Sequence, residues 1–224
     1  QREALEISKL HSVSGLINPS EGLVTHRPFR APHHSVSDVG LTGGGTYPMP
    51  GEVSLAHHGV LFLDELPEFK RHALEVLRQP LEDGQVTISR AQATLSYPSQ
   101  FMMVGAMNPC PCGYMMHPDK SCTCRDDQIA RYMNRISGPL MDRIDIHLEI
   151  NAVKFEDLHD RRRGENSATI RSRVERARRI QQNRFYPSTG SRKSITHCNA
   201  RMTPASLRRY CEMDGDCSRL MEHA

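Results

Sequence analysis

Residues 59–65 read GVLFLDE, a run of four large apolar side chains followed by two carboxylates. Residues 60–63 are typical of a strand that is buried on both faces of a parallel sheet. Asp64 and Glu65 follow at its carboxyl end, which is the edge where open α/β sheets bind ligands. The stretch therefore predicts a ligand site at this edge, and the alternative is a strand that ends in a solvated acidic turn.

Strand and helix patterns alternate around this stretch. Pro67 predicts the start of a helix, and residues 86–95 predict a hairpin. A second buried strand is predicted over 101–107, and the alternating apolar residues of 144–150 predict a third. Interleaved strands and helices indicate α/β layering.

The remaining segments are predicted to form loops and helices. Residues 18–50 are rich in Pro, Gly and His, which predicts a long loop, and such loops are usually functional or disordered. A helix is predicted before residue 15, and a basic helix follows residue 150. Thr203 and Pro204 are typical of the N-cap and first residue of a last short helix.

Composition excludes some classes of function. The 224 residues are 38% hydrophobic and 25% charged, as in ordinary globular proteins. No apolar run approaches the roughly 20 residues that span a bilayer, and no signal peptide is visible, so a cytoplasmic protein without a membrane partner is predicted. With no tryptophan, an aromatic platform for single strands is disfavoured. The net charge of +3 does not by itself imply a nucleic-acid partner.

The chemistry of phosphoryl transfer predicts a role for each carboxylate at the end of the 60–63 strand. In P-loop ATPases the first carboxylate after such a strand holds Mg²⁺, which predicts Asp64 as the Mg²⁺ ligand. A second carboxylate activates the attacking water, which predicts Glu65 as the catalytic base. Asn108 ends the neighbouring predicted strand. It is interpreted either as a further polar residue of the ligand site or as part of an ordinary Asn-Pro turn. Arg143 precedes the third predicted strand, either as a surface ion pair or as an arginine supplied to a neighbouring subunit.

Four of the seven cysteines form the pattern C-x-C-x9-C-x-C at Cys110, Cys112, Cys122 and Cys124. Four thiolates suit tetrahedral Zn²⁺, although two-residue spacers are commoner than one. The pattern favours zinc over reduced free thiols. The pairs His33-His34 and His57-His58 are also conceivable ligands, but hydrogen-bonded loop histidines are the preferred interpretation.

Several long blocks resemble one protein family. The blocks are HRPFRAPHHS at 26–35, PGEVSLAHHGVLFLDELPEF at 50–69, MNPCPCG at 107–113 and RISGPLMDRID at 135–145. They closely resemble the magnesium-chelatase-like ComM/YifB family of AAA+ ATPases, over nearly the whole chain.

The resemblance implies an AAA+ P-loop NTPase-type parallel sheet flanked by helices, with a partial C-terminal helical lid. Residues 1–150 would form the AAA+ core fragment, with a Cys-rich insertion at 108–125, and 151–224 the start of the lid. It implies hexameric rings that bind ATP and Mg²⁺ between subunits. It assigns Asp64 and Glu65 to Walker B, Asn108 to sensor 1 and Arg143 to the arginine finger, with Arg135 as a second candidate. For ComM it further implies ATP-driven DNA branch migration in natural transformation.

Two departures from the family pattern matter. The sequence contains no G-x-x-x-x-G-K-[ST] motif, and the resemblance places that phosphate-binding loop upstream of residue 1. The sensor 2 segment is likewise expected after residue 224. We therefore expect the chain alone not to hydrolyse ATP. The strand before the missing loop is expected between the 101–107 and 144–150 strands.

Alternatives remain for the substrate. The predicted hairpin sits where helicase relatives carry hairpins that point into the ring channel. Arg90 and Gln92 at its tip are candidates for contact with a phosphate backbone, and a plain solvent-exposed hairpin is an equal alternative. A chelatase-type ATPase that drives metal insertion is a second hypothesis. A zinc-bearing assembly module without enzymatic activity is a third.

Overall fold

The structure is a computed structural model that describes residues 2–17, 20, 22–89, 94–150, 164–185 and 198–223. The chain divides into two compact units, residues 1–153 and residues 154–224, each of which is described by itself.

A three-stranded parallel sheet organises the first unit. Its strands are β1 (Phe29–Arg30), β4 (Val60–Leu63) and β7 (Met102–Gly105), in the order β1-β4-β7. β4 pairs with both neighbours, and Leu63 lies opposite Gly105 at the carboxyl end. This arrangement confirms the predicted α/β class and places the 60–63 run at the centre of the described sheet.

Short helices and two hairpins surround the sheet. The helices of the first unit are α1 (Arg2–Val13), α2 (Asp38–Thr42), α3 (Glu52–Leu55), α4 (Arg71–Glu75), α5 (Arg78–Asp83), α6 (Asp126–Met133) and α7 (Gly138–Met141). The hairpin strands are β2 (Gly43–Gly44), β3 (Met49–Pro50), β5 (Gln85–Ser89) and β6 (Thr94–Pro98), and both pairs are antiparallel. The helix predicted from Pro67 is divided into a 3-10 turn (Leu66–Glu68), α4 and α5.

One face of the sheet carries the core. Leu61 and Leu63 are fully buried there and join the apolar residues of the chain that follows β4, including Leu74 and Leu77. Truncating a buried leucine to alanine typically costs about 2–5 kcal/mol, so this packing fixes the position of the 60–63 strand.

The opposite face of the sheet is open in the part of the chain that the structure describes. Phe29 and Met102 are 64% and 59% exposed, and the Phe29 ring stacks on Phe62 at 6.1 Å between centroids. β7 pairs on one side only, with β4, among the described residues.

The strand predicted over 144–150 is wrong for the described structure. These residues form no ladder, and Ile146, Leu148 and Ile150 are 74% to 89% exposed. The alternating pattern fits a strand, but a strand also needs a neighbouring backbone to satisfy its N–H and C=O groups. No described strand supplies one, and 144–150 does not pair directly with 101–107.

The interpretation of 18–50 as a long loop is also wrong in part. This segment supplies β1, α2 and the β2–β3 hairpin. Gly43 is required in that hairpin, because it has φ +97° and an added Cβ would lie 2.4 Å from the Met49 carbonyl oxygen. The two hairpins are linked where Tyr97 donates a hydrogen bond of 2.8 Å to the Pro48 carbonyl.

The second unit is helical where it is described. It contains α8 (Ser167–Phe185), α9 (Pro204–Tyr210) and α10 (Gly215–Glu222). The predicted cap is present, since Thr203 accepts a hydrogen bond from the Ser206 N–H at the start of α9. None of the residues of the basic helix α8 is buried.

Candidate functional site

The acidic pair and Asn108 follow two paired strands of the sheet. The β4–β7 ladder continues past the strand ends, where the Ala106 N–H donates to Leu63 and the Leu66 N–H donates to Ala106, both at 2.9 Å. Asp64 and Glu65 on one strand and Asn108 on the other therefore leave the sheet at the same carboxyl edge. All three residues are exposed. In α/β sheets this edge is where ligands bind.

The backbone at the acidic pair is held in an unusual conformation. Glu65 has φ 52° and ψ 45°, in the left-handed region that non-glycine residues rarely adopt. Asp64 Oδ1 accepts a 2.9 Å hydrogen bond from the Glu65 N–H, and no other described residue bonds to the second carboxylate oxygen. Such strain concentrates at functional sites, where the surrounding structure enforces it. Here the turn leaves both carboxylates exposed at the end of the strand.

His34 contacts the predicted catalytic base. Its Nδ1 lies 3.0 Å from Glu65 Oε2, and its ring meets Phe69 edge-on at 6.4 Å between centroids. The adjacent His33 ring packs against it at 4.0 Å. Sequence reasoning missed this contact, because it treated both histidines as loop residues. The one available signal was their place in the 26–35 block, which continues from β1 alongside β4.

Asn108 lies next to the segment that leads to α6. The buried Tyr132 side chain of α6 makes a hydrogen bond with the Asn108 backbone, and burial raises the pKa of Tyr132. This contact joins the end of the β7 segment to α6 and leaves the Asn108 side chain exposed. The side chain is thus available to a ligand at the edge.

Both candidate arginines make ion pairs within the chain. Arg135 donates to the Pro67 carbonyl at 2.9 Å and to Glu68 at 2.8 Å, just beyond the acidic pair. Arg143 donates from Nε to Glu82 at 2.8 Å, on α5. Among the described residues, neither arginine forms an ion pair with Asp64 or Glu65. Exposed ion pairs contribute only about 0–1 kcal/mol, so Arg143 can exchange Glu82 for another anion easily.

The donor set at the edge fits Mg²⁺. Magnesium is held by one or two carboxylates together with substrate phosphates and water. Asp64 is exposed and offers a carboxylate oxygen that accepts no hydrogen bond from the described residues. Asp64 is the residue that would hold the ion, which would supply charge stabilisation to the phosphate groups.

The four clustered cysteines, hereafter the thiol cluster, lie together. The Sγ atoms of Cys110, Cys112, Cys122 and Cys124 are all within 4.8 Å of one another. The backbone N–H groups of Tyr114 and Thr123 lower the pKa of the Cys112 thiol to about 5.

A second group, Glu6 with His57 and His58, is also compact enough for a metal. Both histidine Nε2 atoms face Glu6 Oε2, at 3.4 and 2.8 Å. His57 Nδ1 accepts a 3.0 Å hydrogen bond from the Gln100 N–H, so the neutral ring carries its proton on Nε2. Burial lowers the pKa of His57 to about 4, which keeps the ring neutral. His57 therefore donates to Glu6 and has no lone pair for a metal, and the group is a hydrogen-bond network between α1 and the start of β4.

The predicted DNA contacts Arg90 and Gln92 lie outside the described residues, which stop at Ser89 and resume at Thr94. No described helix is long and apolar enough to cross a membrane.

Comparison with known proteins gives two family matches and several similar sequences. A family described as magnesium chelatase, subunit ChlI, matches residues 1–158, and its C-terminal family matches residues 164–224. The chain is 44% identical over 197 residues to the uncharacterized protein YifB of Escherichia coli (strain K12), covering 88% of this chain. It is 44% identical over 199 residues to the competence protein ComM of Haemophilus influenzae, again covering 88%.

More distant similarity connects the chain to a chelatase subunit. It is 26% identical over 118 residues to the magnesium-chelatase subunit ChlI of Chlorella vulgaris, covering 53% of this chain and 27% of that protein. The chain spans about 37% of the length of YifB and of ComM.

Proposed function

The chain belongs to the magnesium chelatase subunit ChlI family, and on that premise we propose that it carries the hydrolytic half of an ATP site in a motor that acts on DNA. The observation that carries this proposal is the β4–β7 register, which brings Asp64, Glu65 and Asn108 to one carboxyl edge. The parallel sheet and helices are those of an AAA+ protein, as the resemblance implies.

Each residue at the edge has a separate role in the proposed mechanism. Asp64 holds Mg²⁺, and Glu65 accepts a proton from the water that attacks the terminal phosphate. Asn108 donates its amide to that water or to the phosphate. The phosphate-binding loop is absent from these 224 residues, and we propose that another part of the protein supplies it. The carboxylates of Asp64 and Glu65 are exposed to water, as proton transfer from an attacking water molecule requires.

The site is proposed to be completed by a neighbouring subunit in a ring. Of the two arginines, Arg143 fits that role better. Arg135 makes two bonds within its own chain, one of them to the Pro67 carbonyl, whereas Arg143 pairs with one exposed side chain, Glu82, among the described residues. An arginine from a neighbouring subunit stabilises the charge that develops on the transferred phosphoryl group.

DNA is the proposed substrate because the similarity to ComM is both higher and longer than the similarity to the chelatase subunit. The paired hairpins support it, since Tyr47 between β2 and β3 is 84% exposed and the β5–β6 hairpin bears Arg90. Contacts of this kind to a phosphate backbone give affinity without reading sequence. The chelatase-type ATPase is the second candidate, supported by the family match and by the 26% identity to a chelatase subunit.

DNA-stimulated ATP hydrolysis by the full-length protein separates the two candidates. We expect branched or single-stranded DNA to raise the hydrolysis rate, and Arg90→Ala to weaken this stimulation equally for different DNA sequences. Arg131→Ala, which removes an exposed arginine of α6, is the matched control. A hydrolysis rate that is unchanged by DNA but raised by a porphyrin would favour the chelatase function instead.

His34 is predicted to position Glu65 for proton transfer. Replacing His34 with alanine removes the 3.0 Å contact, and we expect kcat for ATP hydrolysis to fall about 10- to 100-fold with little change in KM. His34→Asn is expected to restore part of the rate, because an amide can still donate to the carboxylate. His26→Ala serves as the control, since His26 is an exposed histidine of the same segment that bonds to Thr25 and not to Glu65. Equal losses in the His26 and His34 variants would contradict a positioning role.

A further inference from the structure

The thiol cluster is compact in a way that free thiols do not explain. Cys110 Sγ lies 3.3 Å from Cys112 Sγ and 3.7 Å from Cys122 Sγ, and the last two sulfurs are 3.6 Å apart. Cys124 completes the group within the same 4.8 Å. We propose that the four thiolates bind one Zn²⁺ in a closed, structural site.

The distances select among sulfur chemistries. A tetrahedral ion with Zn–S bonds of about 2.3 Å sets its sulfurs about 3.8 Å apart, close to the separations seen here. A disulfide needs about 2.05 Å between sulfurs, which no measured pair approaches. An iron–sulfur cluster distributes its four cysteines over two or more irons, and sulfurs on different irons lie farther apart than the 4.8 Å that encloses all four here. A single four-coordinate ion therefore fits the cluster best.

The surroundings of the sulfurs support ligation. Backbone N–H groups of Tyr114 and Thr123 donate hydrogen bonds to Cys112, and the Cys124 N–H donates to Cys122. Donors of this kind orient metal ligands and stabilise their negative charge. Cys110 is fully buried, and its sulfur contacts the sulfurs of Cys112 and Cys122. With four protein ligands the site has no open position, so its role is structural.

The position of the cluster shows what the ion would hold in place. Cys110 comes two residues after Asn108, and Cys124 comes two residues before α6 begins at Asp126. One ion would close the intervening loop and fix Asn108 relative to the helix that leads to Arg135. Tyr132, which contacts the Asn108 backbone, is a second tie between the same two segments. This inference does not depend on the proposed ATPase.

Metal analysis of the full chain tests the proposal. We expect protein purified without added metal to contain about one zinc per chain by mass spectrometry, and Cys112→Ser or Cys122→Ser to lose it. Cys217→Ser is the matched control, because this exposed cysteine of α10 lies outside the cluster and should leave the zinc content unchanged.

Cobalt substitution tests the site in the unaltered chain and therefore does not depend on whether the cysteine variants fold. Reconstitution of the unaltered chain with Co²⁺ should give the visible and near-ultraviolet bands of a tetrahedral tetrathiolate site, and added Zn²⁺ should abolish them. Protein that contains no zinc as purified and gives no such cobalt spectrum would overturn the proposal. Iron with the absorption of an iron–sulfur cluster would overturn it as well.

Discussion

Replacing Glu65 with glutamine in the full-length protein is expected to slow ATP hydrolysis by about 100-fold or more while ATP still binds. Glutamine keeps the size and hydrogen-bonding reach of the side chain but cannot accept a proton from the attacking water. Binding should persist, because Asp64 and the phosphate-binding loop are unchanged. The measurement is the steady-state hydrolysis rate together with nucleotide affinity by fluorescence titration.

The control for this variant is Asp83→Asn at the end of α5. It removes an exposed carboxylate of the same unit that belongs to α5 and not to the end of β4, and the hydrolysis rate should stay near the original value. A Glu65→Gln protein that hydrolyses ATP within about twofold of the unaltered protein would show that another group activates the water.

Replacing Arg143 with alanine is expected to lower kcat by roughly 1,000-fold, with nucleotide binding nearly intact. The arginine stabilises charge that appears only as the phosphoryl group transfers, so its loss affects the reaction more than the bound state. The exposed Glu82 pair that is also lost contributes only about 0–1 kcal/mol, so the fold should remain stable.

Arg131→Ala is the matched control, because Arg131 makes a comparable exposed ion pair with Asp127. Arg135→Ala distinguishes the two candidates. If Arg135 supports the turn that follows Glu65, its loss should lower thermal stability as well as rate, since it removes two bonds to the 66–68 turn. The trans role would pass to Arg135 if Arg135→Ala lost most of kcat with unchanged stability while Arg143→Ala kept a normal rate.

The parts of the fold that depend on local pattern were predictable from the sequence. The strand at 60–63 and the apolar side of the segment after it follow from runs of buried residues. The β5–β6 hairpin follows from two short strand patterns on either side of polar residues. The cysteine spacing likewise indicated that the four thiols would meet.

Features that depend on distant partners were not predictable. β1 has only two paired residues in a proline-rich segment, so no periodicity marks it. The alternating pattern of 144–150 is a good strand pattern, yet its pairing depends on a neighbour that the described residues do not contain. The contact of His34 with Glu65 is likewise set by the position of β1 beside β4, not by any local motif.

The proposed sharing of one ATP site between subunits is tested most directly by mixing two inactive proteins. Glu65→Gln and Arg143→Ala chains, combined in equal amounts and allowed to exchange subunits, should regain hydrolysis. About a quarter of the interfaces in a randomly mixed ring would pair an intact Glu65 with an intact neighbouring Arg143, so we expect about a quarter of the original rate. A mixture that stays as inactive as its two components, although the subunits are shown to exchange, would contradict a site built from Glu65 of one subunit and Arg143 of the next.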